Sequence, residues 1–208
     1  MSTVLRRSPV AALTAAAGAI SVEEGGWEVP ASFGDDAAER EAIGSAVSLS
    51  DVTARAKVDV RGEVAGVLPA AAGALTARVG ADWALVLGAP GEETRLLPAL
   101  EAAAGSTVMV TDATHLHAGF ALAGPKVLDL LERVTSWDPS ALRPGDAAGA
   151  PIAEIPAVIL RRDLPLSLFE VYVPSEFGRY AWETLARVVA DLGGGAVGWQ
   201  ALRSEGWR

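Results

Sequence analysis

Alternating apolar and polar positions predict a β-hairpin followed by a helix near the end of the chain. Residues 157–160 form an apolar run with high β propensity, residues 163–165 interrupt it, and residues 168–173 resume with β-branched and aromatic side chains. Pro174 ends the second strand, and apolar side chains then recur at helical spacing: Tyr180, Trp182, Leu185, Val188, Val189 and Leu192. The predicted helix stops at residues 193–195, three glycines that we interpret as a C-cap and a flexible tail.

The remaining pattern predicts further strands and helices in a mixed order. Strands are predicted at residues 48–51, 57–62, 83–87, 107–112 and 116–122. Helices are predicted at residues 11–20, 35–46 and 92–103, and after the Gly124-Pro125 pair. Residues 25–34 and 139–149 are rich in glycine and proline and are predicted to be loops. This order is typical of an α+β fold with mixed or antiparallel sheets.

Composition restricts the class of protein. Hydrophobic side chains make up 50% of the 208 residues, which is enough to fill the core of one large domain or of two small ones. The chain has no cysteine, which excludes disulfides and cysteine nucleophiles and makes the cytoplasm the default location. A net charge of −9 argues against a nucleic-acid partner. We predict no membrane-spanning helix, and we interpret the alanine-rich run after Arg6-Arg7 as a helix, not an export signal.

A few side chains are candidates for chemistry on their own. His115 and His117 are two residues apart on a predicted strand, so both rings would share a face and could start a zinc or iron site. The alternative is a pair of ordinary surface or interface histidines. Asp82 directly precedes a strand and is either a turn residue or a catalytic carboxylate. Three tryptophans in predicted loop or tail segments indicate either a partner surface or core packing: Trp27, Trp199 and Trp207.

Two stretches resemble the glycine cleavage system T-protein (aminomethyltransferase) superfamily. Residues 169–174 (FEVYVP) and 182–185 (WETL) are similar to the family's F-E-I-Y-V-P and W-E-x-L segments. Near the start, residues 51–53 (DVT), Lys57 and Gly62 are in register with the family pattern D-V-S-x-x-x-K-I-x-V-x-G. The resemblance implies a single folate-binding-type domain over residues 1–208. It would consist of an N-terminal segment, 1–62, and two ferredoxin-like halves at about 63–135 and 136–203.

The resemblance also implies a tetrahydrofolate site. The glutamate of the F-E pair contacts the pterin ring in this family, which assigns that role to Glu170; a solvated strand carboxylate is the alternative. Arg162, with Arg161 beside it, could meet the glutamyl tail of folate, since guanidinium groups bind carboxylates in bidentate fashion; a surface pair with Asp163 is the alternative. Residues 202–205 resemble the family's L-R-x-E motif, which adds Arg203. Tyr172 belongs to the same strand as Glu170 and is included among the cofactor-binding candidates.

The chain departs from the T-protein pattern and is most similar to a small relative, the gamma subunit of heterotetrameric sarcosine oxidase. Residues 7–11 (RSPVA) and 83–88 (WALVLG) resemble segments of that subunit. Residues 162–167 replace the family's glycine-rich turn, and no G-x-x-x-D loop lies between Gly62 and Trp83. A C-terminal barrel domain is not expected.

Three hypotheses follow. The first is a non-catalytic accessory subunit of a folate-linked amine (sarcosine-type) oxidase or demethylase. It would pack against a larger folate and flavin subunit, or form a homo-oligomer, and would carry no covalent cofactor. The second is a stand-alone, tetrahydrofolate-binding aminomethyl or one-carbon transferase. The third, a metal-dependent enzyme, depends only on His115 and His117.

Overall fold

Two β-sheets pack face to face in the computed structural model, which describes residues 4–208. The helices are α1 (Ala11–Ala16), α2 (Asp36–Ser45), α3 (Glu93–Ala103), α4 (Val127–Val134), α5 (Gly178–Asp191) and α6 (Trp199–Ser204). The strands are β1 (Ile20–Glu24), β2 (Trp27–Ser32), β3 (Ser48–Asp51), β4 (Ala56–Arg61), β5 (Leu75–Arg78), β6 (Trp83–Gly88), β7 (Met109–Asp112), β8 (His117–Ala123), β9 (Ala147–Ile152), β10 (Ile155–Arg161), β11 (Leu168–Pro174) and β12 (Gly195–Ala196). The predicted α+β class with mixed and antiparallel sheets is confirmed.

The smaller of the two packed sheets has four strands in the order β5-β6-β4-β7, and every neighbouring pair is antiparallel. Helix α3 connects β6 to β7 and covers one face through Leu96 and Leu100. This is the strand order of a ferredoxin-like unit. Two short 3-10 helices, Val64–Gly66 and Leu68–Ala71, occupy the place of the first helix of such a unit.

The larger sheet has six strands in the order β12-β3-β8-β11-β10-β9. Helices α4 and α5 cover one face through a core that includes Phe169, Val171 and Leu185. Strands β8, β10, β11 and β12, with α4 after β8 and α5 after β11, form a second ferredoxin-like arrangement. Strand β3 is inserted between β8 and β12, and β9 is added at the far edge. The β3 and β12 strands are parallel.

The two halves therefore begin at different residues from those predicted. The four-stranded sheet starts at β4, whose Ala56–Arg61 segment precedes residue 63 and lies in the interior of the sheet. Strand β8 and helix α4, which were assigned to the first half, belong to the six-stranded sheet and its helical layer. The strands thus place the ferredoxin-like halves at residues 56–112 and 117–196.

The N-terminal segment forms a hairpin that the sequence pattern did not predict. Residues 25–34 were expected to be a loop, but β1 and β2 pair through them in antiparallel fashion. Gly25 and Gly26 make the two-residue turn with φ angles of 56° and 80°, which a type I′ turn requires. Helix α1 ends at Ala16, so the predicted helix over 11–20 is too long.

Alanine- and glycine-rich segments also form strands that were missed. Strand β9 begins inside the predicted 139–149 loop and pairs with β10, which satisfies its backbone although its sequence, AAGAPI, has little β propensity. The predicted flexible glycine tail after α5 is instead packed. Gly195 and Ala196 pair with β3, and a Cβ atom on Gly194 would lie 1.8 Å from the carbonyl oxygen of Val47.

The tryptophans in predicted loops or tails belong to the core. Trp27, Trp199 and Trp207 are each at most 2% exposed and share one apolar cluster with Ile43 and Leu202. Core packing, the alternative to a partner surface, is therefore the correct interpretation. Within residues 4–208, no helix combines the length and the apolar character needed to cross a membrane.

Candidate functional site

Glu170 lies at the centre of the six-stranded sheet. It is on β11, opposite Leu160 of β10 and Ala121 of β8. Because side chains alternate along a strand, Phe169 and Val171 face the helices while Glu170 faces the opposite side. The residue is 0% exposed. The interpretation of Glu170 as a solvated strand carboxylate is therefore wrong.

The Glu170 carboxylate accepts hydrogen bonds on both oxygens from side chains of this chain. The Arg162 Nη1 and, at 2.8 Å, the Trp207 Nε1 donate to Oε1, and the Tyr172 hydroxyl donates to Oε2. The Arg55 Nη1 lies 3.6 Å from Oε1 and donates at 2.7 Å to the carbonyl of Arg208. Arg162 therefore pairs with Glu170, not with Asp163. We call Glu170, Arg55, Arg162, Tyr172 and Trp207 the Glu170 cluster.

The electrostatics of the cluster favour an ionised Glu170. Burial alone would raise the pKa of this carboxyl, but Arg55, Arg162 and the hydrogen bonds from Tyr172 and Arg162 outweigh it and hold the pKa below its usual value. Burial and the neighbouring carboxylate both raise the pKa of Tyr172 well above the ordinary value, so its hydroxyl remains a donor. Arg55 is also buried, yet the charge of Glu170 keeps its pKa raised.

Local structure brings Trp207 to this carboxylate. Helix α6 ends in a Schellman motif, in which the Gly206 N–H donates to the Arg203 carbonyl and the Trp207 N–H donates to that of Leu202. Gly206 has a φ of 88°, which reverses the chain at little steric cost. The Trp207 indole then packs edge-on against Trp199, with ring centroids 5.0 Å apart.

Tyr172 is placed by a glycine on the neighbouring strand. Gly119 of β8 lies directly opposite Tyr172, and a Cβ atom there would be 2.7 Å from Cε1 of the tyrosine ring. The ring can therefore lie flat against β8 while its hydroxyl reaches Glu170. No local signal in the sequence connects Gly119 to this role, because the contact is across the sheet.

A cavity of about 350 Å³ lies beside the cluster. Arg55, Arg162 and Arg208 line it together with Glu92 and an apolar wall that includes Leu87. Guanidinium groups bind carboxylates and phosphates, so this opening could hold an anionic group. Behind it, the buried Glu170 carboxylate already accepts two hydrogen bonds at Oε1 and one at Oε2, which leaves it at most one acceptor position for the N–H pair of a pterin. The residues present therefore do not fit a pterin in this arrangement.

Arg203 and Arg161 lie outside the Glu170 cluster. Arg203 donates from Nη2 to Glu24 at 2.5 Å, and its guanidinium lies 5.2 Å from the ring of Trp199. Arg161 donates to the carbonyl of Leu142 at 2.7 Å. Arg203 contacts the cluster only indirectly, through the packing of Trp199 on Trp207.

The two histidines do not form a pair on one strand face. His115 is in the turn before β8, is exposed, and stacks on Trp27 with centroids 5.0 Å apart. His117 is the first residue of β8 and is half-buried, and burial lowers its pKa. Within residues 4–208, no three side chains of His, Cys, Asp or Glu are grouped so that they could hold a metal ion. Asp82 is exposed in the turn before β6, as its interpretation as a turn residue predicts.

Sequence analysis gave no role at this site to Arg55, Trp207 or a buried lysine. Lys57 is 0% exposed, and its Nζ donates to the carbonyls of Thr53 and Arg55 at 2.6 and 2.8 Å. Burial lowers the pKa of Lys57 to about 7, although the nearby Asp51 carboxylate acts in the other direction. Arg55 lies directly before β4 and Lys57 lies in it, a segment whose apolar residues are typical of a buried strand. A charged side chain in such a segment is the one sequence signal that could have indicated these two residues.

Comparison with known proteins assigns most of the chain to one family. The sequence model described as the GCVT N-terminal domain matches residues 70–206, about two thirds of the chain. An aminomethyltransferase from Geobacillus kaustophilus is 28% identical over 212 residues, which cover 88% of this chain and 58% of that protein. One from Geobacillus thermodenitrificans is 28% identical and covers 91% and 60%. The chain therefore spans about 60% of the length of the curated relatives it matches.

Two solved structures have the same fold. The glycine cleavage system aminomethyltransferase T from Bartonella henselae superposes with a TM-score of 0.80 at 20% identity, covering 97% of this chain and 62% of that one. A chain of heterotetrameric sarcosine oxidase from a Corynebacterium species superposes with a TM-score of 0.68 at 20% identity. That match covers 91% of this chain and 97% of the other. The predicted T-protein-like fold is confirmed.

Proposed function

The chain belongs to the family of the GCVT N-terminal domain, and from this premise we propose that it is a non-catalytic accessory subunit of a folate-linked amine oxidase or demethylase. The amine would be of the sarcosine type, and the partner a larger subunit that carries the folate and flavin chemistry. The protein itself contributes a folded domain of the T-protein type to that complex.

The observation that carries this proposal is the burial of the Glu170 carboxylate among donors of its own chain. A residue that reads a pterin must present free acceptors to the N–H groups of the ring. Here Arg162, Trp207 and Tyr172 already donate to both oxygens. Displacing them would separate the buried Arg162 guanidinium from its counter-charge, which costs several kcal/mol. In our proposal, the glutamate that would contact folate instead stabilises the fold through hydrogen bonds and ion pairs within the chain.

The structural match to a chain of heterotetrameric sarcosine oxidase, with a TM-score of 0.68, agrees with an accessory role. An identity of 20% shows the fold alone, so the gamma-subunit role is our inference. A homo-oligomer is the other arrangement that the sequence pattern left open.

A second candidate function, a tetrahydrofolate-binding one-carbon transferase, is favoured by the cavity beside the cluster. Its three arginines could receive the glutamyl carboxylates of folate, and a shift of Arg162 and Trp207 would expose Glu170. The similarity to curated aminomethyltransferases agrees with this alternative.

Calorimetric titration with 5-formyltetrahydrofolate separates the two functions. We expect no saturable binding to the wild-type protein, since the carboxylate is sealed. Binding by the wild type that is lost in Glu170→Gln would establish the transferase alternative. Glu183→Gln is the matched control, because Glu183 makes only an exposed pair with Arg179 on α5.

Purification from the source cells tests the partner. A tagged chain should retain a larger flavin-containing subunit, recognised by its flavin absorbance, and the complex should oxidise sarcosine. Recovery of the chain alone at physiological concentration would contradict the accessory role.

A further inference from the structure

A second cavity, of about 410 Å³, lies between the two sheets on the other side of Tyr172 from Glu170. It follows β11 from Tyr172 to Pro174, whereas Glu170 is two residues before the tyrosine on the same face. Arg61 and Trp83 line it from the four-stranded sheet, and His117 and Val158 line it from the six-stranded sheet. Its volume is within the range of pockets that bind small molecules.

The walls of the cavity are mostly apolar. The Tyr172 ring, Val158 and prolines of β9, β10 and β11 form one side. The two sheets approach closely at Gly149, where a Cβ atom would lie 3.5 Å from the Trp83 ring. Such a slot between flat surfaces buries a planar apolar group well, because aromatic and proline faces give a large contact area.

One charged group is held at the cavity in a fixed position. The Arg61 guanidinium lies 3.9 Å from the centroid of the Trp83 ring. Asp59 accepts from the Arg61 Nε at 2.8 Å and from the Trp83 Nε1 at 2.7 Å, so one carboxylate fixes both side chains. Among residues 4–208, the two terminal nitrogens of Arg61 have no hydrogen-bond partner. A guanidinium held through its Nε presents those nitrogens to a carboxylate in bidentate geometry.

His117 supplies a second polar group. Its Nδ1 is buried and has no hydrogen-bond partner among the described residues. Buried polar atoms are nearly always paired, so this unpaired nitrogen adds polar character to a side chain that lines the cavity. Burial, with the charges of Lys57 and Arg61, lowers the pKa of His117, so the ring is neutral near pH 7.

We propose that this cavity binds a small, flat monocarboxylate of the benzoate class, with its carboxylate on Arg61 and its ring against Tyr172 and Val158. His117 lies at the same cavity and adds a neutral polar side chain to its wall. This site is separate from the Glu170 cluster. The two share only Tyr172, whose hydroxyl contacts Glu170 and whose ring lines the cavity.

Titration with sodium benzoate tests the proposal, followed by ligand-observed NMR or calorimetry. The wild-type protein should bind benzoate saturably, and Arg61→Gln should weaken the affinity about tenfold or more, the loss of a charge-assisted pair. Arg78→Gln is the matched control, since Arg78 is an exposed arginine on β5 that donates to Gly80 outside the cavity. It should bind benzoate like the wild type.

A second variant and a second probe complete the test. Val158→Phe places a larger side chain in the cavity wall and should abolish binding while leaving Arg61 in place. Benzamide, which has the same shape without the charge, should bind at least tenfold more weakly than benzoate. Absence of saturable benzoate binding to the wild type, unchanged affinity in Arg61→Gln, or equal binding of benzamide would each overturn the proposal. None of these outcomes bears on folate binding at Glu170, so the two proposals fail separately.

Discussion

Glu170 carries a negative charge into the centre of the sheet and is held there by two guanidinium groups. Removing one partner of a buried ion pair is costly because the other charges remain in a medium of low polarity. Arg55 and Arg162 have side-chain exposures of only 5% and 10%, so neither can turn to solvent without moving the backbone around it. The Glu170 cluster therefore holds β11 against the segment after α6.

The first prediction concerns this carboxylate. Glu170→Ala should lower the free energy of unfolding by about 3–5 kcal/mol, since it leaves two arginines buried without a counter-charge. Urea denaturation measures the change. Glu183→Ala removes an exposed helical pair with Arg179 and should cost only about 0.5 kcal/mol or less. Equal effects of the two substitutions would contradict the assignment of Glu170 as a structural anchor.

The second prediction concerns pH and Lys57, whose pKa is lowered to about 7 by burial. Between about pH 7 and the ordinary lysine pKa, the unfolded chain holds a proton that the folded chain has lost, so this lysine makes stability rise with pH over that range. Below pH 7 both states are protonated, and the cost of the buried charge is fully present. The stability of the wild type relative to Lys57→Met should therefore increase from pH 7 to pH 10, by at most about 1.4 kcal/mol per pH unit.

Chemical denaturation of both proteins at several pH values measures this difference. Using the difference removes the contributions of groups that titrate equally in the two proteins. A difference that stays constant between pH 7 and pH 10 would show that Lys57 keeps its proton in the folded state.

The position of Glu170 was predictable at the residue scale, but its surroundings were not. The local pattern gave the strand, and the resemblance gave the carboxylate. Its partners come from distant segments, with Trp207 37 positions away and Arg55 in the connection before β4. No periodicity in a single sequence reports which distant side chain will donate to a buried acceptor.

At the scale of elements, β8 and β11 fit together because Gly119 makes room for Tyr172. Strand interiors rarely favour glycine, since it adds no side chain to the packing. Here the missing side chain is what permits a large ring to lie on the backbone of the neighbouring strand. The same contact holds the Tyr172 hydroxyl in line with Glu170 and shapes the wall of the benzoate-class cavity.

The third prediction tests this contact. Gly119→Ala places a Cβ atom 2.7 Å from the Tyr172 ring, so the ring or the strand must shift, and we expect a loss of about 1–3 kcal/mol in unfolding free energy. Thermal or urea unfolding measures it. The control is Gly44→Ala in α2, where no atom lies within 4 Å of the added Cβ and alanine is the better helix former. That substitution should be neutral or stabilising.

An element could be predicted from the sequence when its own residues strongly favour a helix or a strand. Strands β10 and β11 and helix α5 have clear periodicity and were found with small errors at their ends. Strands β9 and β12 consist largely of alanine, glycine and proline, and only pairing with a neighbour makes them strands. The β1–β2 turn was present in the sequence as Gly25-Gly26, a signal that was assigned to a loop.

At the scale of the whole molecule, the family fold is kept while one of its expected sites is filled by the chain itself. Fold similarity alone does not establish activity, because function depends on the groups present at the site. The resemblance correctly predicted the T-protein-like fold and its α+β class. It could not predict that donors of this chain would occupy the carboxylate, since that depends on side chains outside the matched motifs.

The insertion of β3 between β8 and β12 has a consequence for the order of events during synthesis. The strands of the four-stranded sheet come from one continuous segment, residues 56–112, so that sheet can form as soon as this segment has left the ribosome. The six-stranded sheet must wait, because it joins Ser48–Asp51 to a strand made almost 150 residues later. Strand β3 can pair with β8 once residues 117–123 have been made, but its other edge has no partner until β12 follows. One edge of the first strand of this sheet therefore stays open through most of synthesis.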